Sequence, residues 1–287
     1  MSNRVNILKT YKLYINGAFP RTESGRYFII KDKSGKQLAN MCRASRKDFR
    51  NAVVAARKAS DGWSSRSAYN RGQILYRVGE LMEGRKEQFV DELTARGYSK
   101  SKAEKEVEAS IDRFIYYAGW SDKYQQIFGT VNPVASSHFN FSMPEPTGVV
   151  AVIAPDDQPL ISLSTMIASV IVGGNTGIFL SSETQPITAI TLAEVLNSSD
   201  VPAGVVNILT GFKEELITHF SSHMDVNSIW YSGTDQNAKK TIQEKASLNV
   251  KRTHFKNFID WMSDDAENPY LILDFQEIKT TWHPVGI

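Results

Sequence analysis

The chain has 287 residues, 41% hydrophobic and 22% charged, enough for one large domain or two ordinary ones with a real core. A net charge of +2 gives no electrostatic pull toward nucleic acid or an anionic membrane, so neither is expected as a partner. The single cysteine, Cys42, excludes an internal disulfide and makes a reducing cytoplasm the expected compartment.

The first fifteen residues, MSNRVNILKTYKLYI, hold no continuous apolar run, so no signal peptide is expected. No stretch reaches a membrane span either; IASVIVGG is among the longest apolar runs, and Gly173 and Gly174 break it. YKLYINGAFPRTESGRYFII reads as a small hairpin turning at Asn16-Gly17. Three helical stretches follow. SRKDFRNAVVAARKASDGW takes Ser45 as its cap and puts Phe49, Val53, Ala56 and Ala59 on one face. NRGQILYRVGELMEGRKEQFVDEL repeats the pattern with Ile74, Leu75, Val78, Leu81 and Met82. SKSKAEKEVEASIDRFIYYAGWSDKY is a long amphipathic helix with a solvated charged start. Its aromatic end, Phe114, Tyr116, Tyr117 and Trp120, reads as packing core and not as a base-stacking platform.

From Glu145 the texture changes. GVVAVIA, TGIFL, GVVNILT, VNSIWYSG and NVKRTHF are short apolar runs, separated by helical stretches beginning at LISLSTMIASVIVGG, PITAITLAEVLNSS, KEELITHFSS and QNAKKTIQEKAS. Strands alternating with helices imply right-handed crossovers and a largely parallel sheet, an α/β fold. The tail, NPYLILDFQEIKTTWHPVGI, reads as a final strand or pair of strands. GGNTG reads as a helix end turning into the next strand, with a phosphate loop as the rarer alternative. His219 and His223, at i and i+4, have a spacing that can hold a metal, but with no third ligand nearby they read as surface or capping residues.

YKLYINGAF, AARKASDGW, RGQILYRVGELME, PTGVVAVIAP, GGNTGIFLSSE, PAGVVNILTG, SGT and the final EIKTTWHPVGI occur in this order along the chain. Together they resemble the aldehyde dehydrogenase superfamily. The resemblance implies a Rossmann-like cofactor domain over residues 1–130 and 146–263, with oligomerisation strands at 131–145 and 268–287. It also implies a chemistry: a cysteine thiolate attacks the aldehyde, hydride passes to NAD or NADP, and a glutamate-activated water releases the acid.

Several positions depart from that pattern. Pro155 would be followed by a tryptophan and an oxyanion-binding asparagine; Asp156 and Asp157 stand there instead. A carboxylate accepts hydrogen bonds and repels a developing oxyanion, so Asp157 marks a degenerate oxyanion position. As a pair, Asp156 and Asp157 read as cap residues of the next helix or as drift at a site released from catalysis, with a new acid–base pair as the sharper alternative. Leu180 and Ser181 replace a lysine and a proline, while Ser182 and Glu183 remain as candidate ribose contacts. Ser232, Gly233 and Thr234 remain in the phosphate turn, but Ala238 replaces a second glycine and Asp235 adds negative charge. NAD or NADP binding is therefore expected to be weakened or lost.

The largest departure is internal. After SLNVKRTHF the family pattern continues into a glycine-rich segment with the base glutamate and then a domain with the nucleophilic cysteine. This chain runs instead through KNFIDWMSDDAENPYL to the C-terminal strand. Cys42, between a strand and a helix, is not the nucleophile by position and reads as a packing residue. The chain thus resembles the non-catalytic second half of two-module family members. It is expected to form homo-oligomers, or hetero-oligomers with a complete aldehyde dehydrogenase, through the C-terminal strand. The alternatives are an NAD(P)-dependent oxidoreductase sharing a partner's site, and a nucleotide sensor.

Overall fold

A computed structural model describes residues 7–286; the first six residues, part of the stretch read as lacking a leader, lie outside the described residues. The chain opens with β1 (Thr10–Tyr11), β2 (Tyr27–Lys31) and β3 (Gln37–Cys42). Asn16 and Gly17 both take positive φ, +54° and +71°, and Ile15 pairs with Ala18 across the turn. That is the backbone of a tight primed turn. The expected hairpin stops there: β2 pairs antiparallel with β3, β1 pairs parallel with β3, and Tyr14 instead bridges Ile208 in the main sheet.

Helices α1 (Arg46–Ser64), α2 (Ala68–Glu83), α3 (Lys86–Ala95), α4 (Lys100–Trp120) and α5 (Tyr124–Phe128) follow. Ser45 caps α1 in a reciprocal capping box with Asp48. The second helical stretch divides at Gly84-Arg85, because Gly84 ends α2 and Arg85 starts α3. Next come β4 (Thr130–Asn132) and β5 (His138–Pro146). The alternating half consists of β6 (Val149–Ile153), α6 (Pro159–Val172), β7 (Thr176–Leu180), α7 (Ile187–Ser198), β8 (Val206–Leu209), α8 (Lys213–Ser222), β9 (Ser228–Tyr231), α9 (Gln236–Ala246) and β10 (Arg252–His254). Its strands form one parallel sheet ordered β10-β9-β6-β7-β8.

Helices cover both faces, which is why β6 reads as a continuous apolar run. Val150 and Val152 join the core under α2, α4, α6 and α7; Val149, Ala151 and Ile153 join the core under α1, α8 and α9. Helix α6 is buried along its whole length.

The tail differs from a simple strand. A short helix α10 (Tyr270–Leu273) precedes β11 (Gln276–Pro284). A four-residue apolar run, YLIL, fits a buried helix turn or a strand equally, so periodicity cannot separate them. β11 pairs antiparallel with β5 over nine positions, and β4 pairs with the far side of β5, making a three-stranded arm. No helix among the described residues is long and apolar enough to cross a membrane.

Candidate functional site

The parallel sheet has a switch point. From β6 the chain winds through β7 to β8 on one side, then crosses to β9 and β10 on the other. In such sheets the ligand crevice lies beyond the carboxyl ends of the strands where the winding reverses, here β6 and β9. A cavity of ≈ 650 Å³ occupies that place, and Asp156, Asp157, Glu183, Lys213, Ser232, Gly233, Thr234 and Asp235 all line it. The sequence-derived candidates are thus brought together, except Ser182, which is buried beneath the rim. GGNTG ends α6 and enters β7, at the opposite end of the sheet; Gly174, at φ +93°, makes the turn. It is therefore the helix end and not a phosphate loop of this crevice.

Asp156 does not cap α6. Its Oδ1 accepts from Ser182 Oγ at 2.9 Å, Glu183 N at 2.8 Å and Thr184 N at 3.3 Å, and its Oδ2 takes Lys213 Nζ at 2.6 Å. Burial raises the Asp156 pKa, but Lys213, Ser182 and the Glu183 amide outweigh it and hold the carboxyl below its usual range. The cap reading of Asp156 therefore gives way to a latch joining the end of β7 to the start of α8. Lys213 was not singled out in the sequence, because its partner lies 57 residues away. Asp157 is exposed at the rim.

The helix starts around the cavity carry carboxylates of the chain itself. Leu160 N, in the first turn of α6, donates to buried Glu106 Oε1 of α4 at 2.9 Å. Lys213 N, opening α8, donates to Glu183 Oε1. Asn237 N, in the first turn of α9, donates to Asp235 Oδ1 at 2.8 Å. The lining holds five carboxylates, Asp156, Asp157, Glu183, Glu214 and Asp235, against one lysine. Burial and then the charges of Asp235, Asp156 and Glu183 push the Tyr231 phenol up. Gly233 is a close-approach position: a Cβ there would lie 2.4 Å from the Tyr231 side chain.

The segment after β10 lies across the switch point. Ser232 Oγ donates to Asn257 Oδ1 at 2.9 Å. Gln158, a non-glycine at φ +47°, gives its amide to Asp260 at 2.7 Å and accepts from Trp261 N at 2.6 Å. Trp261 is 1% exposed and packs against Trp230 and Phe258. Arg113, 1% exposed, donates to the carbonyls of Trp261 and Ala266 and pairs with Glu267. Lys256 pairs with Asp274.

Two further candidates fall outside this site. Cys42 is a buried free thiol on β3. His219 lies in the last turn of α8 and His223 caps its end; no group of three metal-ligating side chains occurs among the described residues.

A dinucleotide needs unpaired backbone N–H groups at a helix start for its pyrophosphate. Here one amide at each of two helix starts already serves Glu183 or Asp235, and the one lysine of the lining is taken by Asp156.

The fold, the crevice and the motifs define a dehydrogenase-type α/β protein, and a sequence model described as "Aldehyde dehydrogenase family" matches residues 19–257. The chain belongs to that family. It is 30% identical over 259 residues to cytosolic 10-formyltetrahydrofolate dehydrogenase of Xenopus laevis, covering 87% of this chain and 28% of that protein. Against mitochondrial benzaldehyde dehydrogenase of Antirrhinum majus the figures are 31% over 246 residues, 84% and 45%. The NAD+ complex of the Bacillus cereus aldehyde dehydrogenase superposes with a TM-score of 0.80 at 26% identity, covering 85% of this chain and 50% of that one. An NAD-dependent aldehyde dehydrogenase from Sinorhizobium meliloti gives 0.81, 26%, 88% and 50%. The chain thus spans half or less of the length of these relatives.

Proposed function

We propose that this chain is a non-catalytic assembly partner of a complete aldehyde dehydrogenase. One observation carries the reading: the connection from β10 to β11, where the family pattern would place the catalytic domain, is a closed and packed segment. Trp261, Ala266, Leu271, Ile272 and Phe275 are buried in it, and Arg113 and Gln158 bind its backbone. It leads directly into the arm strand. Asp157 at the amide-donor position supports the same reading, since a carboxylate cannot donate to an oxyanion.

The arm supplies the means of assembly. Thr147 N donates to Phe275 O and Val285 N to Ser137 O at the two ends of the β11–β5 ladder. This phase turns the N–H and C=O groups of odd-numbered β11 residues toward β5. Those of Ile278, Thr280 and Trp282 point to the outer edge, where a partner strand can add by main-chain hydrogen bonds.

The test is NADH production from a panel of aldehydes by the isolated chain, by a complete family member, and by the two together. The reading predicts no turnover from the isolated chain. Turnover that survives Cys42→Ser in the isolated chain contradicts it.

A further inference from the structure

We propose that the crevice at the β6–β9 switch point excludes nicotinamide dinucleotides and has become a fixed joint that mounts the C-terminal arm. The inference goes beyond the partner reading and stands whether or not a partner exists. It rests on two halves of the crevice, each occupied by the chain itself.

In the first half, a leading amide of each helix start is taken by a carboxylate of the chain. Glu183 takes the first amide of α8 and Asp235 takes the first-turn amide of α9. A bound pyrophosphate would have to displace these carboxylates from N–H groups and then sit beside them. The only lysine of the lining, Lys213, is held at 2.6 Å by Asp156 and is not free to neutralise phosphate. Carboxylates offer no donors in exchange. At the ribose position Leu180 is fully buried in the core under α1 and α8, the Ser182 hydroxyl is committed to Asp156, and one Glu183 oxygen is taken by the Lys213 amide.

In the second half, the strap from Asn257 to Trp261 crosses the ends of β6 and β9. Ser232 holds Asn257, and Gln158 holds both Asp260 and the Trp261 amide. The left-handed backbone of Gln158 fits this purpose. Gln158 holds this conformation, unfavourable for a non-glycine residue, while its side chain makes both hydrogen bonds. The strap continues through Lys256–Asp274 and Arg252–Glu277 into β11, so the crevice and the arm form one connected unit.

The experiment titrates NADH, followed by its fluorescence, and NAD+ and NADP+, followed by calorimetry, into the full chain. The natural chain is expected to show no saturable binding up to ~1 mM of any of the three. Saturation below that concentration overturns the proposal. Asp156→Asn with Asp235→Ser removes two charges, frees Lys213 and keeps an uncharged cap on α9. This folded double variant is expected to acquire saturable NADH binding below ~1 mM, and adding Lys213→Met is expected to remove it. Failure to gain binding in the folded double variant also overturns the proposal. Should the double variant not fold, Asp235→Ser alone, at an exposed position, serves with inorganic pyrophosphate as probe. Its affinity is expected to rise about tenfold over the natural chain, and an unchanged affinity counts against the proposal.

Discussion

Trp261→Ala probes whether the connection between sheet and arm is a structural element or a loose remnant. Trp261 is 1% exposed, and its ring lies 6.2 Å from Trp230 and 4.9 Å from Phe258, edge-on to the latter. Truncating a buried tryptophan removes its transfer free energy and leaves a cavity, together about 3–5 kcal/mol. One term runs the other way. The indole Nε1 is buried without a hydrogen-bond partner among the described residues, a burden of about 1–3 kcal/mol that truncation removes. The net expectation is a loss of about 2 kcal/mol. Trp261→Phe removes the same orphaned donor while keeping most of the apolar area, so its cost should stay within about 1 kcal/mol. Urea unfolding followed by far-ultraviolet circular dichroism, which does not depend on the deleted fluorophore, should show the Ala midpoint about 1 M lower and the Phe midpoint nearly unchanged. A midpoint for Trp261→Ala indistinguishable from the natural chain would refute the packed-connection argument.

Glu106 is fully buried, and burial raises its pKa, while its Oε1 caps the start of α6. A carboxyl raised above its unfolded value loses stability as pH rises from the unfolded toward the folded pKa. Glu106→Gln keeps an acceptor without the charge and should flatten that fall; Glu106→Leu orphans the Leu160 amide and should cost about 1–3 kcal/mol at neutral pH. Lys251 is 7% exposed, its ammonium donates to the His223 carbonyl, and burial pushes its pKa down to about 8. Between that value and its unfolded pKa the unfolded chain holds more protons, so stability should rise with pH across that window. Lys251→Met should abolish that rise and stabilise the protein by about 2 kcal/mol at neutral pH, read as the difference between the two unfolding curves. An equal rise in both proteins would remove Lys251 as its cause.

The alternating half of the fold was legible because each strand is buried on both faces and each helix carries its own periodic apolar pattern. GVVAVIA, TGIFL and GVVNILT announce β6, β7 and β8 without reference to anything distant. The division at Gly84-Arg85 was not legible, since the apolar spacing runs on through it and only the glycine hints at a stop. Within the site, the sequence located the crevice and its departures but not their meaning. Asp156 and Asp157 adjoin in sequence yet behave differently: one is tied to Lys213 and the end of β7, the other is exposed at the rim. That difference depends on contacts across the sheet that no local pattern encodes. The same holds for Arg113 and Gln158, whose partners lie 148 and 103 residues away in the strap.

Assembly without catalysis is tested by co-expression and sizing. The tagged chain is co-expressed with each complete aldehyde dehydrogenase of its source, and the purified material is sized by light scattering. The same is done with Thr280→Pro, which removes an outward-facing N–H from the β11 edge while an edge strand tolerates proline. The natural chain is expected to form a stable hetero-oligomer that the proline variant, still folded, fails to form. A natural chain that remains a lone monomer beside every complete family member contradicts it.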